Sequence, residues 1–107
     1  MSNRFMRVMV FFDLHTGTKA ERKASAKFRT NLINDGFEML QYSVYCRITQ
    51  NHDDANKYVT SVKRYLPKKG AVRLMKITEK QYQAMQVLVG EQTAGEKFLS
   101  PADLVEL

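Results

Sequence analysis

Two side chains in the first fifteen residues have types and spacing suited to chemistry. Asp13 directly follows the apolar run Val8–Phe12, and His15 lies two residues further on. An aspartate after a strand is commonly a turn residue, because its side chain bonds the backbone beyond it. It is also a hard oxygen ligand. One carboxylate holds Mg²⁺ weakly, since the ion takes six oxygens, often from one or two carboxylates and several waters. A two-fold axis near the end of that strand would supply a second Asp13 and so a shared Mg²⁺. His15 could then act as a general base or proton relay, or simply sit in solvent. The other single candidates are weaker. His52 opens a helix, Cys46 lies inside a strand-like run, and no His or Cys spacing resembles a zinc site. Asp53-Asp54 are neighbours on a helix and point in different directions, which suits the helix dipole better than a metal. No phosphate-cradling glycine motif and no HExxH is present.

Basic residues form the second chemical pattern. The 107-residue chain carries seventeen Lys and Arg against eleven Asp and Glu. The excess is local: residues 1–90 hold sixteen basic and seven acidic side chains, while residues 91–107 hold Lys97 against Glu91, Glu96, Asp103 and Glu106. A basic body of this kind suits a polyanion, nucleic acid above all, and the acidic end reads as a separate element that docks elsewhere. Lys19, Arg22, Lys23, Lys27 and Arg29 fall on one side of a helical wheel, with Lys68-Lys69 as a second patch. Double-stranded DNA, or RNA, bound through its phosphates is the partner such surfaces imply.

The elements that must position these groups follow from periodicity. Residues 5–13 are almost continuously apolar, the pattern of a central strand covered on both faces. Thr18 with Glu21 makes a capping box, and Gly36 closes the helix after it. Its apolar stripe is Ala20, Ala24, Phe28 and Leu32. Phe37–Thr49 is long for one strand and is read as two, breaking near Gln41–Ser43. Ala55, Tyr58, Val59, Val62, Tyr65 and Leu66 give a second helix that Pro67 stops. Ala71–Ile77 is a strand. Thr78 with Gln81 caps a short helix containing Tyr82 and Met85, and Val87–Val89 reads as a brief strand. The order β, α, β, β, α, β predicts an α+β, ferredoxin-like domain over residues 1–91, with an antiparallel sheet and both helices on one face. Residues 92–107 are a C-terminal extension. The sheet's other face needs a cover, and a second copy of the chain is the economical one, so a homodimer packed through the sheets is expected.

The single cysteine rules out an intrachain disulfide and suits a reducing, cytoplasmic setting. The longest apolar run is too short to span a membrane, and MSNRFMR lacks the apolar stretch of a signal peptide.

Several stretches, in order, resemble the CRISPR-associated Cas2 family, its type II branch most closely: VMVFFDL, TKAERKASAKFRTNL, DGFEMLQYSVYCRI, KGAVRLMKITEKQY and VGE. The strongest pieces are Phe11-Phe12-Asp13 and Gln41–Tyr45. The resemblance implies a ferredoxin-like homodimer that bridges two dimers of the CRISPR integrase. It would help hold the foreign DNA inserted as a new spacer in antiviral defence. It also implies a possible metal-dependent endonuclease for RNA or double-stranded DNA, with one Asp13 per protomer around a shared Mg²⁺. The last strand would cross to the partner's sheet, here Leu104–Leu107. The chain departs from the pattern at His15-Thr16, where many members carry Pro, and at Cys46, where many carry an acidic residue. Those departures weaken the nuclease expectation and leave the architectural one intact. An unrelated ferredoxin-like nucleic-acid-binding or toxin-like module is the remaining alternative.

Overall fold

The computed structural model describes residues 4–90. Four strands form one antiparallel sheet: β1 (Met6–Asp13), β2 (Glu38–Gln41), β3 (Val44–Thr49) and β4 (Ala71–Thr78), in the order β2-β3-β1-β4. Helix α1 (Lys19–Asn34) follows β1, α2 (His52–Lys63) follows β3, and α3 (Glu79–Gln83) follows β4. This is the ferredoxin-like arrangement, with α3 as an appendage. The expected crossing strand at Leu104–Leu107 lies outside the described residues.

β1 occupies the centre because its side chains are apolar on both faces. Val8, Val10 and Phe12 point towards α1 and α2 and pack with Phe28, Leu32, Ala55 and Val62. The alternate residues point the other way, where Met9 packs with Cys46 and Tyr82. Phe12 meets Phe28 edge-on at 5.1 Å and stacks on Tyr45 at 5.6 Å, which ties β1 to α1 and β3. Cys46 is 2 % exposed, as expected of a small core residue, and burial pushes its thiol up to about 11.

The second sheet face is covered in part by the chain itself. Glu79, at the start of α3, is 5 % exposed. Its carboxylate accepts two hydrogen bonds from Arg7, Nε at 2.6 Å and Nη2 at 3.0 Å, and one from Gln83 Nε2 at 2.7 Å. The guanidinium also lies 4.0 Å from the Tyr82 ring centroid. Burial disfavours the Arg7 charge, but the bonds to Glu79 and the neighbouring negative fields outweigh it, so its pKa lies above the ordinary value. A second copy of the chain is therefore not needed around Met9 and Cys46. Ile48 and Met75, which share this face by strand alternation, stay 37 % and 48 % exposed.

Several sequence expectations are refined. The break between β2 and β3 falls at Tyr42-Ser43, and Ser43 takes φ 66° with no glycine to signal it. α2 ends at Lys63, before Tyr65 and Leu66, so Leu66 is exposed and not part of the core. Val87–Val89 is not a strand, and Leu88 and Val89 are almost wholly exposed. Met85 is also exposed. Both capping boxes form as expected. Gly36 closes α1 with φ +86°, the N–H of Phe37 donating to Leu32 O and that of Gly36 to Ile33 O. A Cβ there would also strike the Arg47 guanidinium, which donates to Gly36 O and to Tyr58 Oη.

Removing one partner of a buried ion pair strands the other. Glu79→Ala is expected to lower urea stability by roughly 3 kcal/mol, whereas Arg7→Met with Glu79→Leu recovers most of that loss. Equal stability of the wild type and Glu79→Ala would show that α3 is not pinned by this pair.

Candidate nucleic-acid interface

The site is built at one end of the molecule, where β1 finishes and β4 begins. Asp13 pairs with Ala71 across the sheet. The turn entering β4 lies against this point: a Cβ on Gly70, at φ +100°, would come within 2.8 Å of both Asp13 O and Leu14 Cδ2. Only glycine allows Lys68-Lys69 to be carried so close to the strand end.

On the helix side of this end, an open groove of about 650 Å³ runs between α1 and residues 64–69. Its floor includes Leu14, Ala20, Ala24 and Phe28. Here the four-residue stripe read from the sequence divides. Phe28 and Leu32 are buried, while Ala20 and Ala24 are exposed in the groove. Their small side chains leave open the space that larger residues would fill. The far wall is held by Tyr65, whose ring packs on Phe28 at 5.8 Å and whose hydroxyl donates to Asp35 Oδ2 at 3.1 Å. Burial first, and then the Asp35 charge and hydrogen bond, push the Tyr65 pKa up, so this brace stays protonated at neutral pH.

The groove brings together charges that are far apart in the chain. Lys27 from α1 and Lys68 and Lys69 from the turn all line it, as does His15. Arg64, which falls within the helix expected to run to Pro67 and is not among the expected site residues, lines it as well. A signal for it exists: Arg64 belongs to a basic stretch that resumes at Lys68, and α2 stops just before it. The acidic side chain on the lining is Glu21. Glu21 accepts from the Thr18 N–H at 3.0 Å and lies 3.7 Å from His15 Nδ1. The Thr18 hydrogen bonds, with His15 nearby, hold its carboxyl below the usual range. Glu21 is thus already engaged, and the cations dominate the rim.

The remaining predicted residues are placed differently. Lys19 and Lys23 are exposed on α1 and do not line the groove. Arg22 is also outside it, and its Nη1 donates to Thr16 O at 3.1 Å, bracing the loop between β1 and α1. Arg29 is not a free surface charge. It donates to Ser25 Oγ at 2.7 Å and Tyr42 Oη at 3.0 Å.

Asp13 lies at the same end but, by strand alternation, on the sheet's second face. It is exposed, and its carboxylate has no hydrogen bond or ion pair among the described residues. It therefore does not behave as a turn cap. Nor do the described residues of one chain gather three His, Cys, Asp or Glu side chains that could hold a metal ion. A single protomer offers Mg²⁺ one carboxylate, which does not make a site. Among the described residues, no helix is long and apolar enough to cross a membrane.

Comparison with known proteins points one way. The family model described as CRISPR associated protein Cas2 matches residues 6–85. A protein of Acidovorax ebreus (strain TPSY), named CRISPR-associated endoribonuclease Cas2, is 43 % identical over 99 residues, covering 92 % of this chain and 97 % of the relative. Proteins with the same name from Ligilactobacillus salivarius (strain UCC118) and Campylobacter jejuni are 48 % and 42 % identical. The first alignment covers 80 % of this chain and 85 % of the relative, and the second 97 % and 73 %.

Proposed function

This chain belongs to the CRISPR-associated Cas2 family, and from that premise we propose that it is a DNA-binding subunit of spacer acquisition. In this reading it works as a homodimer that bridges integrase dimers in antiviral defence. The observation that carries the reading is the groove, where Lys27, Arg64, Lys68 and Lys69 converge from two elements around an already engaged carboxylate. Cations spaced along one end of a rigid body attract phosphates without reading bases. Lys19 and Lys23 extend the same positive surface along α1, and Arg22 supports it by holding the loop before the helix. The partly exposed Ile48 and Met75 on the second sheet face suit packing against a second copy.

Neutralising Lys27, Lys68 and Lys69 to Ala is expected to weaken duplex binding at every sequence tested. The slope of log affinity against log salt should fall by about 2.7, at ~0.9 for each phosphate that no longer meets a lysine. Fluorescence anisotropy over a salt series measures it, and an unchanged slope would remove the groove from the interface.

A second reading has its own support. The Asp13 carboxylate is exposed and unengaged, and the relatives named above carry the name endoribonuclease. The metal would need a second copy's Asp13 and water to complete its oxygens. When bound, Mg²⁺ supplies Lewis-acid stabilisation of phosphate charge and an activated water. This chain's contribution is to present Asp13 at a strand end fixed by its pairing with β4, beside a phosphate-binding groove. His15, turned towards Glu21 at 3.7 Å, is placed on the groove side and not beside Asp13's face of the sheet. Asp13→Asn is expected to abolish magnesium-dependent cleavage of RNA or duplex DNA while leaving melting temperature and oligomeric state unchanged. Equal cleavage by the purified variant would exclude Asp13 as the centre of a nuclease.

A further inference from the structure

Of the aromatic side chains among the described residues, Tyr42 is the most exposed, at 74 %. It is nevertheless held. The Arg29 guanidinium donates to its hydroxyl from Nη2 at 3.0 Å and lies 5.0 Å from its ring centroid. That guanidinium is itself anchored, donating from Nη1 to the buried Ser25 Oγ at 2.7 Å. The backbone beside the ring is fixed as well. Ser43 takes φ 66°, a conformation uncommon outside glycine, and its carbonyl accepts from the Phe12 N–H at 3.1 Å. A ring fixed in direction yet left in solvent is presented to a partner, not packed in a core. At this exposure most of its surface away from Arg29 is open.

The surroundings say what kind of partner. Along α1, Lys19, Arg22, Ala26 and Arg29 recur at three and four residues, so they form one row on the helix surface. Lys27, which lines the groove, lies outside this row. The row offers cations, with the small Ala26 between them, leading to the Tyr42 ring. Between Arg29 and Tyr42 the chain's carboxylates are Asp35 and Glu38. Asp35 accepts from Tyr65, and Glu38 pairs with Cys46 on the opposite sheet face. A partner with anionic links and flat rings matches such a row, and single-stranded nucleic acid has both. Paired bases stack on one another and leave no face free, whereas an unpaired base can stack on an aromatic side chain. We infer that Tyr42 is a stacking platform for an unpaired base. Arg29 positions the ring, and Lys19 and Arg22 stand beside the phosphates of the same strand. The inference rests on the nucleic-acid-binding reading and deepens it, using a different side of α1. The groove takes duplex phosphates, and the Tyr42 row takes strand that has come unpaired.

Fluorescence of the full-length chain tests it. The chain has no tryptophan, so Tyr42→Trp places a single indole at the platform. A short mixed-sequence single strand, supplied as DNA and as RNA, is expected to quench the indole emission to saturation. The blunt duplex of the same sequence is expected to leave it unchanged. Tyr42→Ala should weaken single-strand binding, read by anisotropy, roughly 5- to 150-fold, the span of one base–aromatic stack. Its duplex affinity should stay the same. Tyr42→Phe, which keeps the ring and loses only the acceptor for Arg29, should retain most of the single-strand affinity. A quench by one of the two strands alone supports the platform and names the strand it serves. Three results would overturn the inference: a saturating single strand without quench, an equal quench by the blunt duplex, or unchanged single-strand affinity in Tyr42→Ala. The third would assign the exposed ring to a protein contact. Duplex binding that survives any of these leaves the groove reading standing, whereas a wild type that binds neither form removes both.

Discussion

A central strand with apolar side chains on both faces is the constraint on which the rest depends. β1 cannot sit at an edge or face water, so it must be flanked by two strands and covered twice. The helix layer supplies one cover through Phe28, Leu32, Ala55 and Val62. The other is supplied in part by α3, drawn onto the sheet by the paired charges of Arg7 and Glu79 and the face of Tyr82. Desolvating two charges is costly, and their bidentate geometry with Gln83 offsets that cost. Once β1 is held in this way, its last residue is also fixed, and the end of the molecule that carries the groove is built around it.

That end has two sides with different chemistry. The helix side presents cations over an apolar floor, and the sheet side presents one unengaged carboxylate. Gly70 joins them, because it lets the lysine turn approach the backbone of Asp13 and Leu14. A phosphate chain lying in the groove would thus pass close to the strand end without contacting the carboxylate's face. The binding and nuclease readings draw on different surfaces, so one can persist without the other. The departures from family pattern at His15 and Cys46 fall near the carboxylate's strand and its neighbour, while the groove cations do not depend on them.

Much of the fold was legible because local signals agreed with global ones. Thr18–Glu21 and Thr78–Gln81 are capping boxes whose partners lie three residues away, and the continuous apolar run of β1 states its central position outright. What escaped was set by contacts distant in sequence. Ala20 and Ala24 repeat with Phe28 and Leu32, yet nothing in the spacing says that, among the described residues, they are left exposed in a groove. α2 gives way before Tyr65, which then packs on Phe28 from outside a helix, leaving Leu66 exposed and Arg64 on the groove. The turn at Tyr42-Ser43 has no glycine or proline, so its position rested on strand length alone. Lys27 and Lys68-Lys69 read as separate patches along the chain, and only the fold makes them one.

The central claim is that this one groove, gathered from α1 and the turn before β4, is where phosphate is held. Titrating ¹⁵N-labelled protein with a short DNA duplex and following amide and lysine side-chain shifts tests it most directly. The account predicts that Lys27, Arg64, Lys68 and Lys69 respond together with one affinity, while Ile48 and Met75 on the opposite sheet face stay still. Shifts concentrated on the sheet face, or on α1 without the turn, would contradict it.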